Sequence, residues 1–245
     1  MEKKVVIAQG LWCRSSLYVP MAEKFQKRGY SYSIPELRNT EAGEDGDIIP
    51  DSNRYLEILQ KHSIDWENTI LVGHSFGGLL AQIIAARVKP KALVLLSPVV
   101  PVSYNRPGLY AIAFGIYLTF ISEFFTKSSR PSLNGFSTWI YQCLSRKEKD
   151  ELYPFFLDES PYVVRECVLP GRMSRIAYKS KSEIECPVFV AAAKEDRIVN
   201  AESLRRFADR YAGGYKVYEN TSHWMITESS IDRIVTDICD WLDKK

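Results

Sequence analysis

The chain has 245 residues, 46% of them hydrophobic and 25% charged, the make-up of a globular protein with ample material for a core. Its 32 basic and 30 acidic residues are well mixed and leave a formal net charge of +2, a balance without the footprint of a nucleic-acid or anionic-membrane partner. The five cysteines (Cys13, Cys143, Cys167, Cys186 and Cys239) are odd in number, widely spread and free of any C-x-x-C pair, so neither a disulfide framework nor a metal site is expected.

Val5 to Ala8 is a continuous apolar run of strand length, as expected for a strand buried on both faces of a parallel sheet. It is too short for the core of a signal peptide, and with the free thiols it gives a cytoplasmic expectation. A loop, Gln9 to Arg14, precedes a helix from Ser15 or Ser16 to Arg28, with Leu17, Met21 and Phe25 on one face and Gly29 as its stop. Tyr30 to Ile34 reads as a second strand, and the polar stretch Arg38 to Pro50 as a surface loop.

Asp51 or Ser52 can cap a helix carrying Tyr55, Leu56, Ile58 and Leu59. Ile70-Leu71-Val72 is a buried strand, followed by Gly73-His74-Ser75-Phe76-Gly77 and a helical pattern that Pro90 ends. Ala92 to Leu96 is a further strand, so strands and helices alternate up to residue 100. Between residues 101 and 185 the alternation breaks into Pro-punctuated helical stretches. Leu109 to Phe125 is apolar on nearly every side, too short and too interrupted by Gly115 and Thr119 for a membrane span and suited to a lid packed over a cleft, with contact to a membrane surface as the alternative.

The alternation resumes with the strand Val188 to Ala193, the charged turn Lys194 to Arg197, a helix capped by Asn200, the strand Lys216 to Glu219 and a last helix from Ile231 to Leu242. The organisation expected is an α/β core over residues 1–100 and 186–245, with a helical lid inserted at 101–185.

A strand, a Gly-x-Ser-x-Gly turn and a helix together push a serine hydroxyl out on a strained bend, with the glycines required where chain passes closely. Such a hydroxyl needs a neighbouring base, and histidine suits that near neutral pH. Of three histidines, His62 reads as solvated in a surface helix. His74, directly before Ser75, should point away from it and serve packing or hydrogen bonding. His223 lies in a loop after a predicted strand, where parallel sheets place their ligand crevice. The base needs a carboxylate to orient it; Asp196 follows the strand Val188 to Ala193, and Glu195 is its rival. The chain order serine, acid, histidine is met by Ser75, Asp196 and His223.

Val72-Gly73-His74-Ser75-Phe76-Gly77-Gly78, Lys194-Glu195-Asp196-Arg197-Ile198-Val199 and Ser222-His223-Trp224-Met225 together resemble the α/β-hydrolase superfamily, over nearly the whole chain. Gly-His-Ser-Phe-Gly-Gly-Leu and the absence of an obvious leading hairpin are similar to its compact methylesterase and hydroxynitrile-lyase group. The resemblance implies a mostly parallel sheet of about six strands flanked by helices, with Ser75 as nucleophile, His223 as general base and Asp196 as orienting acid. It also implies an oxyanion hole from the backbone N–H groups of Leu11 and Phe76. Where the family often has His-Gly after its first strand, this chain has Gln9-Gly10, whose glutamine can brace the loop by a donor and an acceptor.

The function expected is hydrolysis of a small-molecule carboxylic ester or thioester with an apolar acyl or alcohol group, through an acyl-enzyme and without cofactor or metal. Trp12 and Trp224 are expected to contact substrate. The lid aromatics Tyr110, Phe114, Tyr117, Phe120, Phe124 and Phe125 either line the cleft or pack lid on core. Two other readings stay open: a lyase or cyclase using the same three residues as acid and base, and a hydrolase-like receptor that binds ligand without turnover. No nucleic-acid partner and no stable membrane insertion are expected.

Overall fold

Four apolar runs, β1 (Lys4–Ala8), β3 (Thr69–His74), β4 (Ala92–Leu96) and β5 (Val188–Ala193), are buried over nearly all their length, as strands covered on both faces must be. Two less buried strands, β2 (Ser31–Ser33) and β6 (Gly214–Tyr218), form the edges of the same sheet. The order is β2-β1-β3-β4-β5-β6 and every pairing is parallel. This computed structural model describes residues 3–37, 51–63, 65–101, 109–117, 130–168, 177 and 183–245.

From β1 the chain steps outward to β2 and then returns to the other side of β1 as β3. The order therefore reverses between β1 and β3, and the loops leaving their carboxyl ends diverge to open a crevice there. Those loops begin at Gln9 and at Ser75.

Three helices belong to the first half of the core: α1 (Val19–Gln26), α2 (Ser52–Lys61) and α3 (Phe76–Val88). The Asp51 carboxylate caps α2 by accepting from the N–H groups of Asn53 and Arg54. α3 is buried over its first ten residues, which explains why its sequence is apolar all round. The helix expected from Ser15 opens as a 3-10 turn, Ser15–Tyr18, and becomes α-helical from Val19, with Pro20 in its first turn where a missing N–H costs nothing.

Between β4 and β5 the described residues form helices and no strand: α4 (Leu109–Ile116), α5 (Leu133–Trp139), α6 (Arg146–Leu152) and α7 (Pro161–Val168). The part of the apolar run beyond residue 117 and the loop 38–50 lie outside the described residues. Phe136 on α5 stacks on Phe156 at 4.2 Å between ring centroids, and Trp12 and Trp224 of the core meet these two rings edge-on at 5.9 and 5.1 Å. The backbone joins them too: Leu157 N–H donates to the Trp12 carbonyl and Trp224 N–H to that of Ile140.

The second half of the core closes with α8 (Ala201–Asp209), capped by the Asn200 side chain on the N–H of Glu202, and α9 (Ile231–Leu242), which packs against α1. β6 begins two residues earlier than the alternation at Lys216 suggests, because Gly214 pairs with Phe189 where a side chain would meet the rings of Phe189 and Trp241. Among the described residues no helix is long and apolar enough to cross a membrane.

Candidate active site

Ser75 stands between β3 and α3 with φ 54° and ψ −121°, in the positive-φ region that an L-residue rarely adopts. The surrounding glycines make this bend possible. A Cβ on Gly77 would lie 2.2 Å from the carbonyl oxygen of Ala8 in β1, and one on Gly73 would lie 2.7 Å from the carbonyl oxygen of Gly77.

The loop after β6 brings His223 to this bend, with its Nε2 2.8 Å from Ser75 Oγ. On the other side of the ring, Nδ1 is 2.8 Å from Asp196 Oδ2. The second carboxylate oxygen of Asp196 accepts from the backbone N–H groups of Ile198 and Val199 at 2.8 and 2.9 Å. A carboxylate oxygen only accepts, so Nδ1 carries the ring proton and donates it to Asp196. Nε2 is left to accept from the serine hydroxyl. The side chains of Asp196 and His223 are 1% and 3% exposed, which keeps water from competing for these bonds.

Glu195 does not join this chain. Its carboxylate accepts from the N–H of Thr221 at 2.8 Å, and its own N–H donates to the Thr221 carbonyl, so it braces the His223 loop from below. Glu228 holds the same loop from the other side by accepting from the N–H and the hydroxyl of Ser222. Burial, with the charges of Glu195 and Asp196 beside it, pushes the Glu228 carboxyl up to about 7, against the pull of its two bonds from Ser222.

His74 is buried and bonded to Tyr18 on one side and to the backbone of His223 on the other. His62, expected to be solvated, is half-buried instead at the C-terminal end of α2, where it hydrogen-bonds the Ser33 hydroxyl of β2. Gln9 donates from Nε2 to the Pro35 carbonyl at 2.6 Å, while its Oε1 is buried with no partner among the described residues. The glutamine thus braces the loop by its donor.

Three backbone N–H groups follow β1 in succession. Gly10 donates to Tyr18 Oη at 2.7 Å, and Trp12 donates to Glu159 Oε2 at 3.4 Å. Between them Leu11 N–H has no protein acceptor among the described residues, and the same holds for Phe76 N–H at the start of α3. Trp12 sits at φ 64°, and Glu159, 1% exposed, also accepts from Tyr55 Oη and the N–H of Ser160.

A cavity of about 340 Å³ opens over Ser75 and His223. Its floor is Gly10 to Cys13 with His74, and its walls are Val99, Val100, Ile198 and Val199 with Trp224. The roof is built from Ala111, Ile112, Phe114, Gly115, Phe136, Ile140, Phe156 and Cys167 of the segment between β4 and β5. Trp12 and Trp224 both line it. Of the aromatic residues singled out in the sequence, Phe114 lines the cavity, Tyr110 is exposed with Arg197 stacked on it, and Tyr117 packs on Phe114. Phe120, Phe124 and Phe125 lie outside the described residues. Among the described residues no carboxylate lines the cavity, and no cluster of three His, Cys, Asp or Glu side chains is placed to hold a metal.

Sequence reasoning missed Phe136, Phe156, Glu159 and Glu228. The two carboxylates stand among polar neighbours in the sequence, Asp158 and Ser160 beside Glu159 and Thr227 and Ser229 beside Glu228, and the two aromatics lie in a segment without periodicity, so none of the four carries a signal.

Residues 1–230 match a family model described as serine aminopeptidase, S33. No curated protein matches the chain in sequence. Among solved structures, a monoacylglycerol lipase of Paleococcus ferrophilus superposes with a TM-score of 0.68 at 20% identity, over 100% of this chain and 96% of the other. An extracellular α/β-hydrolase from a Paenibacillus species gives 0.73 at 15% identity, over 97% and 98%. Tomato methylketone synthase I, bound to β-ketoheptanoate, gives 0.73 at 15% identity, over 100% and 98%.

Proposed function

Since the chain belongs to the serine aminopeptidase S33 family of α/β hydrolases and is thereby a serine-type hydrolase, we propose that it cleaves a carboxylic ester or thioester with an apolar acyl or alcohol group, using Ser75, His223 and Asp196. The observation that carries this reading is the pair of 2.8 Å contacts, Ser75 to His223 and His223 to Asp196, at the foot of an apolar cavity.

The chemistry follows from the proton positions. Ser75 Oγ attacks the substrate carbonyl carbon as His223 Nε2 takes its proton, and the imidazolium that forms is steadied by Asp196. Negative charge collects on the carbonyl oxygen, where the N–H groups of Leu11 and Phe76, without a protein acceptor among the described residues, receive it; each such donor is worth roughly 10²–10³ in rate. Collapse expels the alcohol or thiol, which takes the proton back from Nε2 and leaves an ester on Ser75. Water, activated by the same nitrogen, then releases the acid.

The walls support an uncharged, apolar substrate. At ~30 Å³ for each water-sized group, a 340 Å³ cavity has room for on the order of ten carbon atoms. The family's aminopeptidase description is less well matched, since a carboxylate to hold a substrate α-amine is missing from the described lining. Residues 101–185 act as a lid in this reading, with Phe114, Phe136 and Phe156 closing over the acyl group. Five free cysteines favour a reducing, cytoplasmic setting.

A panel of p-nitrophenyl esters and acyl thioesters of increasing chain length, with fluorophosphonate labelling, tests the proposal. Turnover and labelling are expected in the wild type and neither in Ser75→Ala. Labelling of Ser75→Ala at the wild-type rate removes Ser75 as nucleophile. Tight ligand binding without turnover by the wild type replaces hydrolysis with a receptor role.

A further inference from the structure

His74 and Tyr18 take no part in the steps above, yet they stand between the two loops on which those steps depend. His74 Nε2 is 2.9 Å from the backbone carbonyl oxygen of His223, and its Nδ1 is 2.8 Å from Tyr18 Oη. Tyr18 Oη is in turn 2.7 Å from Gly10 N. A carbonyl oxygen only accepts, so Nε2 holds the ring proton. Nδ1 is then bare and accepts from the tyrosine hydroxyl, whose oxygen accepts from Gly10 N–H. One proton arrangement satisfies all three bonds, and in it His74 is neutral. Burial and the neighbouring His223 hold its pKa down to about 3, so it keeps this arrangement far below neutral pH.

The relay has no slack. Tyr18 and His74 are 0% and 1% exposed, Trp224 meets both rings edge-on at 6.2 and 5.8 Å, and a Cβ on Gly10 would sit 3.2 Å from both His74 Nδ1 and Ser75 Cβ. Its two ends are the residue before Leu11, whose N–H faces no protein acceptor among the described residues, and the backbone of the base itself.

We propose that Tyr18 and His74 are positioning residues that fix the oxyanion loop and the His223 loop relative to one another, so that Leu11 N–H faces the substrate oxygen and His223 Nε2 faces Ser75 Oγ in a single geometry. This rests on the serine-hydrolase reading above. The hydroxyl of Tyr18 and the ring of His74 act through Gly10 and the His223 carbonyl and touch no substrate atom. Misplacement of either loop weakens contacts that matter in the transition state more than in the bound substrate.

Four variants test it on the ester panel: Tyr18→Phe, His74→Leu, His74→Gln and, as reference, Ser75→Ala. Tyr18→Phe and His74→Leu are expected to lower kcat by roughly 10–100-fold with KM nearly unchanged, the scale of a small misplacement of reacting groups. Affinity for an alkyl boronic acid, which forms a tetrahedral adduct on the serine, should fall by the same factor as kcat/KM. His74→Gln, with one donor and one acceptor on the same stem, should recover most of the loss. In the wild type, ¹⁵N shifts of the His74 ring should show a proton on Nε2 alone between about pH 5 and 8.

Wild-type kcat and boronic-acid affinity in both Tyr18→Phe and His74→Leu would overturn the relay, as would a loss confined to KM. A His74 ring protonated on Nδ1 or on both nitrogens would overturn it as well, and Tyr18→Phe with the ring shifts decides if His74→Leu does not fold. Activity retained by Ser75→Ala instead defeats the underlying serine-hydrolase reading, an outcome separate from those on the relay.

Discussion

Glu195 and Asp196 are neighbours in the chain but serve different parts of the same loop. Asp196 reaches the ring of His223 at 2.8 Å, while Glu195 reaches the backbone N–H of Thr221, two residues earlier, also at 2.8 Å. The turn after β5 thus holds both the orientation of the ring and the height of the loop that carries it.

Asp196→Asn presents an amide to Nδ1, favours the wrong tautomer, and should lower kcat by about 10⁴. Glu195→Gln keeps an acceptor for Thr221 N–H and should change kcat only a few-fold. Steady-state kinetics on one short acyl ester compares the two; the reverse ranking would transfer the acid's role to Glu195.

Gly77→Ala forces a methyl group to within 2.2 Å of the Ala8 carbonyl oxygen, and backbone cannot swing aside as a flexible side chain would. Either β1 or the first turn of α3 must move. A loss of about 3 kcal/mol or more is expected, at the upper end of overpacking effects. The shift of the urea midpoint measures it.

Glu228 makes stability depend on pH in the opposite sense to most carboxylates. Its folded-state pKa is raised from 4.5 to about 7, so below 4.5 both states are protonated and nothing is lost. Between 4.5 and 7 the unfolded chain gives up its proton while the folded one retains it, and stability falls as pH rises. Glu228→Gln should therefore be more stable than the wild type at pH 8, relative to their difference at pH 4. Its amide still offers an acceptor and a donor to Ser222. Melting temperatures of both proteins across that range give the answer, and parallel curves would show that Glu228 does not titrate there.

Phe136 stacks on Phe156 and on Tyr141 and roofs the cavity above Ser75. Phe136→Ala should cost about 3–5 kcal/mol as a buried aromatic deletion. In the same variant the ester panel should shift its optimum toward longer or bulkier acyl groups. An unchanged optimum would mean that the acyl group lies elsewhere in the cavity.

The sheet was legible because its strands are short apolar runs at the spacing of a crossover fold, and burial on both faces admits few polar residues into β1, β3, β4 and β5. The residues around Ser75 were legible because each is confined by covalent or steric necessity: Gly77 by the Ala8 carbonyl, Ser75 by the bend, His223 by its place after an edge strand. The β2 edge was read too long, as Tyr30 and Ile34 carry strand-like side chains but lie outside the three residues that pair with β1. The cavity roof was not legible. Phe136 and Phe156 lie on either side of α6 rather than along one helix, so no period in the sequence links them. Glu159 and Glu228 look like solvated acids until the fold buries them among donors.

The chain leaves the sheet at the end of β4 and returns at the start of β5, which is β4's immediate neighbour, in register from Leu93 opposite Val188 to Leu96 opposite Ala191. The two ends of the excursion are therefore adjacent, and the described residues between are tied back to the core as well, by Leu157 N–H on the Trp12 carbonyl, Trp224 N–H on that of Ile140 and Trp12 N–H on Glu159. Doubling the length of such an excursion costs only about 0.6 kcal/mol in closure entropy. Length added between those ties is therefore cheap, whereas a change at Ile140, Leu157 or Glu159 reaches Trp12 and Trp224 and, with them, the loops on either side of Ser75.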